Sequence, residues 1–299
     1  MFASKGQHMK TSRRHGKTIA AIVALALTTT VAHAADWSDA VLSWRYGTKF
    51  EEAYLPDDIA KNIIGFTYTG GYKYGINFFG VDLLMSDHND PGVGTIEGAQ
   101  EAYVVYRNFV DMGKVTDRDL SFPGVRTVGF TAGGDWNTKN DVGYGSRKRM
   151  LLLGPTLMFA VPGYAKASIV ELWDSNASLT IPPYQGCDCR YYYKTHPGII
   201  ADWGIPLFTN VNYEGYAYLY ASKGLDESGR KTGPEFNWDS QIMWDIGAAL
   251  KGPKNTFRIG FEYQYWHNKF GVTPYGNPFY GTVPGTEAKT PMVRVEYHF

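Results

Sequence analysis

From residue 35 onward the chain repeats one pattern, in which oily and polar side chains alternate with period two. In "NTFRIGFEYQYWHN" (255–268), Phe257, Ile259, Phe261, Tyr263 and Tyr265 share one parity, while Arg258, Glu262 and Gln264 take the other. Only an extended strand puts alternate residues on opposite faces. "NVNYEGYAYLYASKG" (210–224) sets Tyr213, Gly215, Ala217 and Leu219 against Asn212, Glu214, Tyr216 and Tyr218. "EFNWDSQIMWDIG" (235–247) sets Phe236, Trp238, Ile242, Trp244 and Ile246 against Asn237, Asp239, Gln241 and Asp245. "AQEAYVVYRNF" (99–109) sets Ala102, Val104 and Tyr106 against Glu101 and Arg107.

About twelve such segments occur, near 38–47, 62–71, 75–86, 99–109, 125–137, 147–160, 164–174, 190–202, 211–222, 236–248, 255–267 and 289–299. Long polar connectors rich in Gly, Pro and Asp, such as "DHNDPGVGTIEG" and "NKFGVTPYGNPFYGTVPGT", follow the odd strands. Shorter ones, "GGYK", "VPG", "GIPLFTN" and "LKGPKN", follow the even strands, with 111–124 the long exception. Long loops at one end and tight turns at the other mark an up-and-down barrel of the membrane kind. Strands of about ten residues suit a tilted bilayer crossing, and closure pairs every backbone group, as lipid requires. A soluble barrel would put its apolar parity inside and its charges outside. Here the polar parity is often ionised and the aromatic parity carries no charge in the clearest strands, so the aromatic face is expected to meet lipid. The fold expected is all-β, a transmembrane up-and-down antiparallel β-barrel of about twelve strands. Its last strand, "PMVRVEYHF" (291–299), turns Val293, Val295, Tyr297 and Phe299 to lipid and Arg294, Glu296 and His298 to the lumen.

The first 34 residues follow other rules. A basic stretch, "KTSRRHGK" (10–17), precedes an apolar one, "TIAAIVALAL" (18–27), and the small-x-small site Ala32-His33-Ala34. That order is a secretory signal peptide with an apolar run too short to anchor, so the division expected is 1–34 leader and 35–299 barrel. Loss of the leader removes five basic residues and no acid from a chain with 29 of each sign, leaving a net charge near −5. No basic nucleic-acid footprint remains. Cys187 and Cys189 stand one residue apart, and both a strained disulfide and two unpaired thiols stay open.

Several stretches resemble the Tsx/OmpK family of nucleoside-specific channel-forming outer-membrane proteins: "WSDAVLSWRYGTKFEEAY" (37–54), "DWNTKNDVGYGSRKRMLLLGPTLMF" (135–159), "YYKTHPGI" (192–199), "EYQYWHNKFG" (262–271) and "KTPMVRVEYHF" (289–299). They span the expected mature chain and are most similar to the OmpK-like branch. The resemblance implies a monomeric twelve-stranded barrel in the bacterial outer membrane, passive uptake of nucleosides, and surface loops serving as phage or colicin receptors. It also implies that the terminal aromatic, Phe299, is read by the barrel assembly machinery.

A barrel of twelve strands is wider than one filled by its own side chains and narrower than an open porin. Its wall touches whatever passes. A nucleoside offers a flat base, which stacks on aromatic rings for about 1–3 kcal/mol, and sugar hydroxyls, which bond Asp, Glu, Arg and Tyr. Weak sites in series let a solute enter and leave. Inner parity nominates Arg45, Phe78, Asp82, Glu101, Arg107, Glu214, Tyr216, Tyr218, Asp239, Asp245, Arg258, Glu262, Arg294 and Glu296. For any single charged member the plainer role is pairing with a neighbour to brace the wall. Tyr216 and Tyr218 are expected to form part of a stacking rail.

Arg147, Lys148 and Arg149 open the sixth strand, either as a grip on lipopolysaccharide phosphates or as a solvated rim with Lys148 turned to the lumen. "GYGSRK" lacks the spacing of a phosphate loop, and "GVGTIEG" (92–98) misses the dinucleotide pattern. The four histidines past the leader, His88, His196, His267 and His298, stand beside no nucleophile motif and at no metal-ligand spacing. The expectation is a channel rather than an enzyme, with no metal and no cofactor. A general small-solute porin and a non-conducting receptor or adhesin barrel are the alternatives.

Overall fold

A computed structural model describes residues 35–178, 189–275 and 281–299. The expected leader, 1–34, and Cys187 lie outside them; Cys189 is disulfide-bonded. The strands are β1 (Trp37–Phe50), β2 (Ile59–Tyr72), β3 (Gly75–Ser86), β4 (Gln100–Asp111), β5 (Val125–Lys139), β6 (Arg149–Phe159), β7 (Tyr164–Asn176), β8 (Tyr191–Tyr192), β9 (His196–Phe208), β10 (Val211–Tyr220), β11 (Glu235–Asp245), β12 (Phe257–His267) and β13 (Glu287–His298). Each wall strand pairs antiparallel with its neighbours, β6 with β7, and β1 with β13 over Val41↔His298 to Gly47↔Met292. β8 is a two-residue rung on β7 at the loop end. The other twelve close into a barrel with no free edge.

The faces divide as the sequence predicts. Phe261 is 75% exposed while its neighbour Glu262 is 2% exposed. Leu42, Trp44 and Tyr46 on β1, and Leu151, Leu153 and Leu157 on β6, point outward and bare, whereas Ser43, Arg45, Met150 and Leu152 are buried on the inner parity. An exposed belt of Leu, Ile, Trp and Phe is costly in water and favourable against acyl chains.

Two departures have local causes. The strand expected at 190–202 runs instead over His196–Phe208, and "GIPLFTN" supplies its second half. Gly204 and Pro206 read as connector because both are rare in strand interiors. Pro206 lies opposite Asn212 at a register shift, where a missing N–H is tolerated, and the turn shrinks to Thr209 and Asn210. Asn210, the second turn residue, takes the left-handed conformation, φ 64°, which Asn adopts more readily than most residues. The long connector 111–124 holds a short helix, α1 (Met112–Thr116), whose first N–H groups donate to the Asp111 carboxylate from Gly113 (2.9 Å) and Lys114 (3.3 Å). A second one-turn helix, α2 (Ile246–Ala249), shortens the β11–β12 connection.

Candidate functional site

The inner parity of β1, β3, β12 and β13 builds a charged eyelet. Arg45 donates to Asp82 and, at 3.4 Å, to Glu262; Arg294 donates to Glu262 and Glu296, both at 2.7 Å. Gln264 donates to Asp239 at 3.0 Å beside them. Arg45 reaches Asp82 across the intervening β2 because position 65 is glycine. A Cβ there would stand 2.7 Å from the Asp82 carboxylate and 2.6 Å from the Ser43 hydroxyl. Glu262 is sealed at 0% side-chain exposure, while Asp82 at 33% opens to the bore.

Next to the eyelet, β10 carries a ladder of rings. Tyr216, Tyr218 and Tyr220 share the inner face, with centroids 6.5 Å and then 4.2 Å apart and planes within 14°. Trp266 meets Tyr218 edge-on at 6.4 Å. The Tyr218 hydroxyl (3.0 Å) and the Trp266 indole N–H (2.8 Å) both donate to Glu235, which fixes the rings' tilt. Tyr220 is closed in at 4% exposure while Tyr216 stands 40% exposed in the bore. From the opposite wall, Tyr103 (3.0 Å) and Arg107 (2.6 Å) donate to Asp135. Both come within electrostatic range of Tyr220, and Tyr216 lies in range of Tyr103, Asp82, Asp239 and Glu262. Rings and ions therefore face each other across the bore.

All fourteen nominated residues lie on the inner parity, but they do not share one task. Arg45, Asp82, Asp239, Glu262, Arg294 and Glu296 gather at the eyelet, and Tyr216, Tyr218 and Arg107 line the adjoining ladder. Arg258 pairs with Glu214 at 2.8 Å nearer the turn end. Glu101 accepts from Asn137 at 2.6 Å. Asp245 accepts from the backbone of Gly247 and Asn255 and shapes its turn. Phe78 lines a small cavity of about 30 Å³ with Phe109, Lys166 and Asp202. Of the rim cations, Arg147 donates to the Ala177 carbonyl, Arg149 is exposed, and Lys148 lies in electrostatic range of Asp135, Glu235 and Tyr220 inside. Among the described residues, no group of three or more His, Cys, Asp or Glu could hold a metal ion.

The candidate set omits Tyr220, Tyr103 and Trp266, although period two places all three inward. It also omits a buried ionic cluster at the loop end, which no local pattern signals. There Glu52, from the β1–β2 loop, meets Lys61 (2.6 Å), Lys269 (3.2 Å) and Lys139 (3.4 Å). Asp90 joins Lys139 at 2.9 Å and Lys61 at 3.7 Å. Burial opposes ionisation of Glu52, but Lys139, Lys269 and Lys61 outweigh it and hold the carboxyl well below its usual range. A depressed value contributes stability that is present above the ordinary pKa of 4.5 and lost as pH falls through the lower folded value. The thermal midpoint, followed by tryptophan fluorescence, is expected to hold steady from neutrality to about pH 5 and to drop only in stronger acid. A drop already at about pH 6 would contradict this assignment.

No family model matches the chain, and no curated protein matches it. Solved structures with a related shape are barrels. The COG4313 outer membrane channel from Pseudomonas putida F1 aligns with a TM-score of 0.49 at 9% identity, over 91% of this chain and 100% of that one. The NanC porin aligns at 0.47 and 8% identity, over 86% and 98%. The translocator domain of the autotransporter NalP from Neisseria meningitidis aligns at 0.43 and 12% identity, over 94% and 95%. Each of these scores is below 0.5, and the function is read from this chain's own residues.

Proposed function

We propose that this protein is an outer-membrane channel for passive, selective diffusion of nucleosides. The observation that carries the reading is the tyrosine ladder beside the charged eyelet. A solute with a flat face stacks on Tyr216 while its hydroxyls reach Asp239, Asp82 and the arginines around them. A sugar alone finds the hydroxyl partners and no stacking; a free base finds the reverse. Selection thus comes from having both kinds of group, at a width where the solute must touch the wall. The resemblance to the Tsx/OmpK family supports the same substrate class, and the outward apolar belt supports placement in a membrane.

The test is single-channel recording of the refolded protein in planar bilayers, titrated with nucleosides, free bases and sugars. Steps of conductance that nucleosides interrupt at lower concentration than bases or sugars are expected. Equal indifference to all three would leave a general small-solute porin.

A further inference from the structure

A bore that only sieves solutes needs no loop tied to distant strands, yet Glu52, in the segment 51–58 after β1, is bonded to Lys139 on β5 and to Lys269 after β12. The charges that tie them are sealed: Asp90 is 0% exposed, Lys61 2%, Lys269 3%, and Glu52 and Lys139 6% each. They converge from β2, β5 and the loops after β1, β3 and β12, so the contact reaches over about half of the wall's circumference. Lys269 also donates to the Glu51 carbonyl at 2.6 Å and stacks over Trp266 at 4.7 Å. The segment is keyed to its seat. Tyr54, at φ 76°, donates its N–H to the Pro284 carbonyl at 3.0 Å. Gly285, at φ 68°, leaves the Glu52 carbonyl just enough room, since a Cβ there would stand 1.9 Å from it.

The two ends of the segment are fixed. Phe50 and Ile59 sit in one apolar cluster with Ile63 and Met292, so any movement is confined between them. Two of the three lysines keep a carboxylate when Glu52 leaves, and Lys269 keeps its place over the Trp266 and Phe270 rings at 4.7 and 5.3 Å. Lys139 keeps Asp90 and Asp141 (3.7 Å), and Lys61 keeps Asp90. Lys61 and Lys139 thus stay paired with the segment lifted, as one state of a two-state element requires.

We infer that residues 51–58 are a gate at the loop-side mouth, latched by Glu52 among Lys61, Lys139 and Lys269, and that the bore opens when this segment lifts. The inference rests on the channel reading above. It is tested by single-channel recordings of the full-length protein, with folding of each variant checked by its electrophoretic mobility before and after heating. Glu52→Gln and Lys269→Met should raise the fraction of time open several-fold. In a Tyr54→Cys, Pro284→Cys variant, oxidation should abolish the steps and reductant should restore them, each measured against wild type under the same oxidant and reductant. If the single substitutions do not fold, the cysteine pair decides alone. Wild-type steps that both the substitutions and oxidation leave unchanged overturn the gate and spare the channel. Silence in every variant, reduced or oxidised, overturns the channel reading and the gate with it.

Discussion

Glu262→Gln is expected to lower the barrel's stability by about 3 kcal/mol, the lower end of the cost of removing one partner from a buried ion pair. The Glu262 side chain is fully buried and accepts from Arg45 at 3.4 Å and Arg294 at 2.7 Å. Neutralising it leaves two guanidinium groups facing each other around one missing charge. The loss stays at the lower end because Arg45 keeps Asp82 and Arg294 keeps Glu296. The midpoint of urea unfolding in lipid vesicles, read by tryptophan fluorescence, measures it. The same substitution removes one negative charge from the eyelet, so the reversal potential in a salt gradient should move toward anion selectivity. An unchanged midpoint together with an unchanged reversal potential would show that the Glu262 charge neither braces the wall nor faces the path.

Removing the ladder should have the second largest effect. Tyr216→Ala with Tyr218→Ala is expected to weaken nucleoside block by roughly 5- to 150-fold, the equivalent of about 1–3 kcal/mol of base stacking. Sugar permeation should change little, because the eyelet carboxylates stay. Liposome swelling in nucleoside should slow toward the sugar rate while the folded barrel persists. Tyr216→Phe with Tyr218→Phe is the control. It keeps the rings and gives up the Tyr218 bond to Glu235, so block should survive with a small loss. Equal nucleoside flux through the alanine variant and the wild type would reject the ladder as the selective element.

Much of the wall was legible because the strand period is local. "NTFRIGFEYQYWHN" shows its lipid and lumen faces without reference to any other strand, and β3 runs over the residues expected, 75–86. β9 departs from its expected place for an equally local reason: Gly204 and Pro206 carry the chemistry of a turn, and Pro206 sits in a strand where β10 offers a register shift opposite it. The same period carried Tyr216 and Tyr218 inward, and it carries Tyr220 too. That the three rings stack, and that Trp266 closes on them, depends on β10, β11 and β12 lying side by side.

The sequence by itself determined which parity faces lipid, that the strands close on one another, and which side chains share the bore. Those properties come from alternation and from the cost of an unpaired backbone group in hydrocarbon, neither of which needs a distant partner. Tertiary structure alone decided which ions meet. Arg45 and Glu262 are separated by 217 positions and Glu52 and Lys269 by the same count, and only barrel closure brings each pair to bonding distance. A carboxylate in an irregular loop has no period to betray it, so the inward fold of Glu52 was settled by three lysines that the closed wall holds in place.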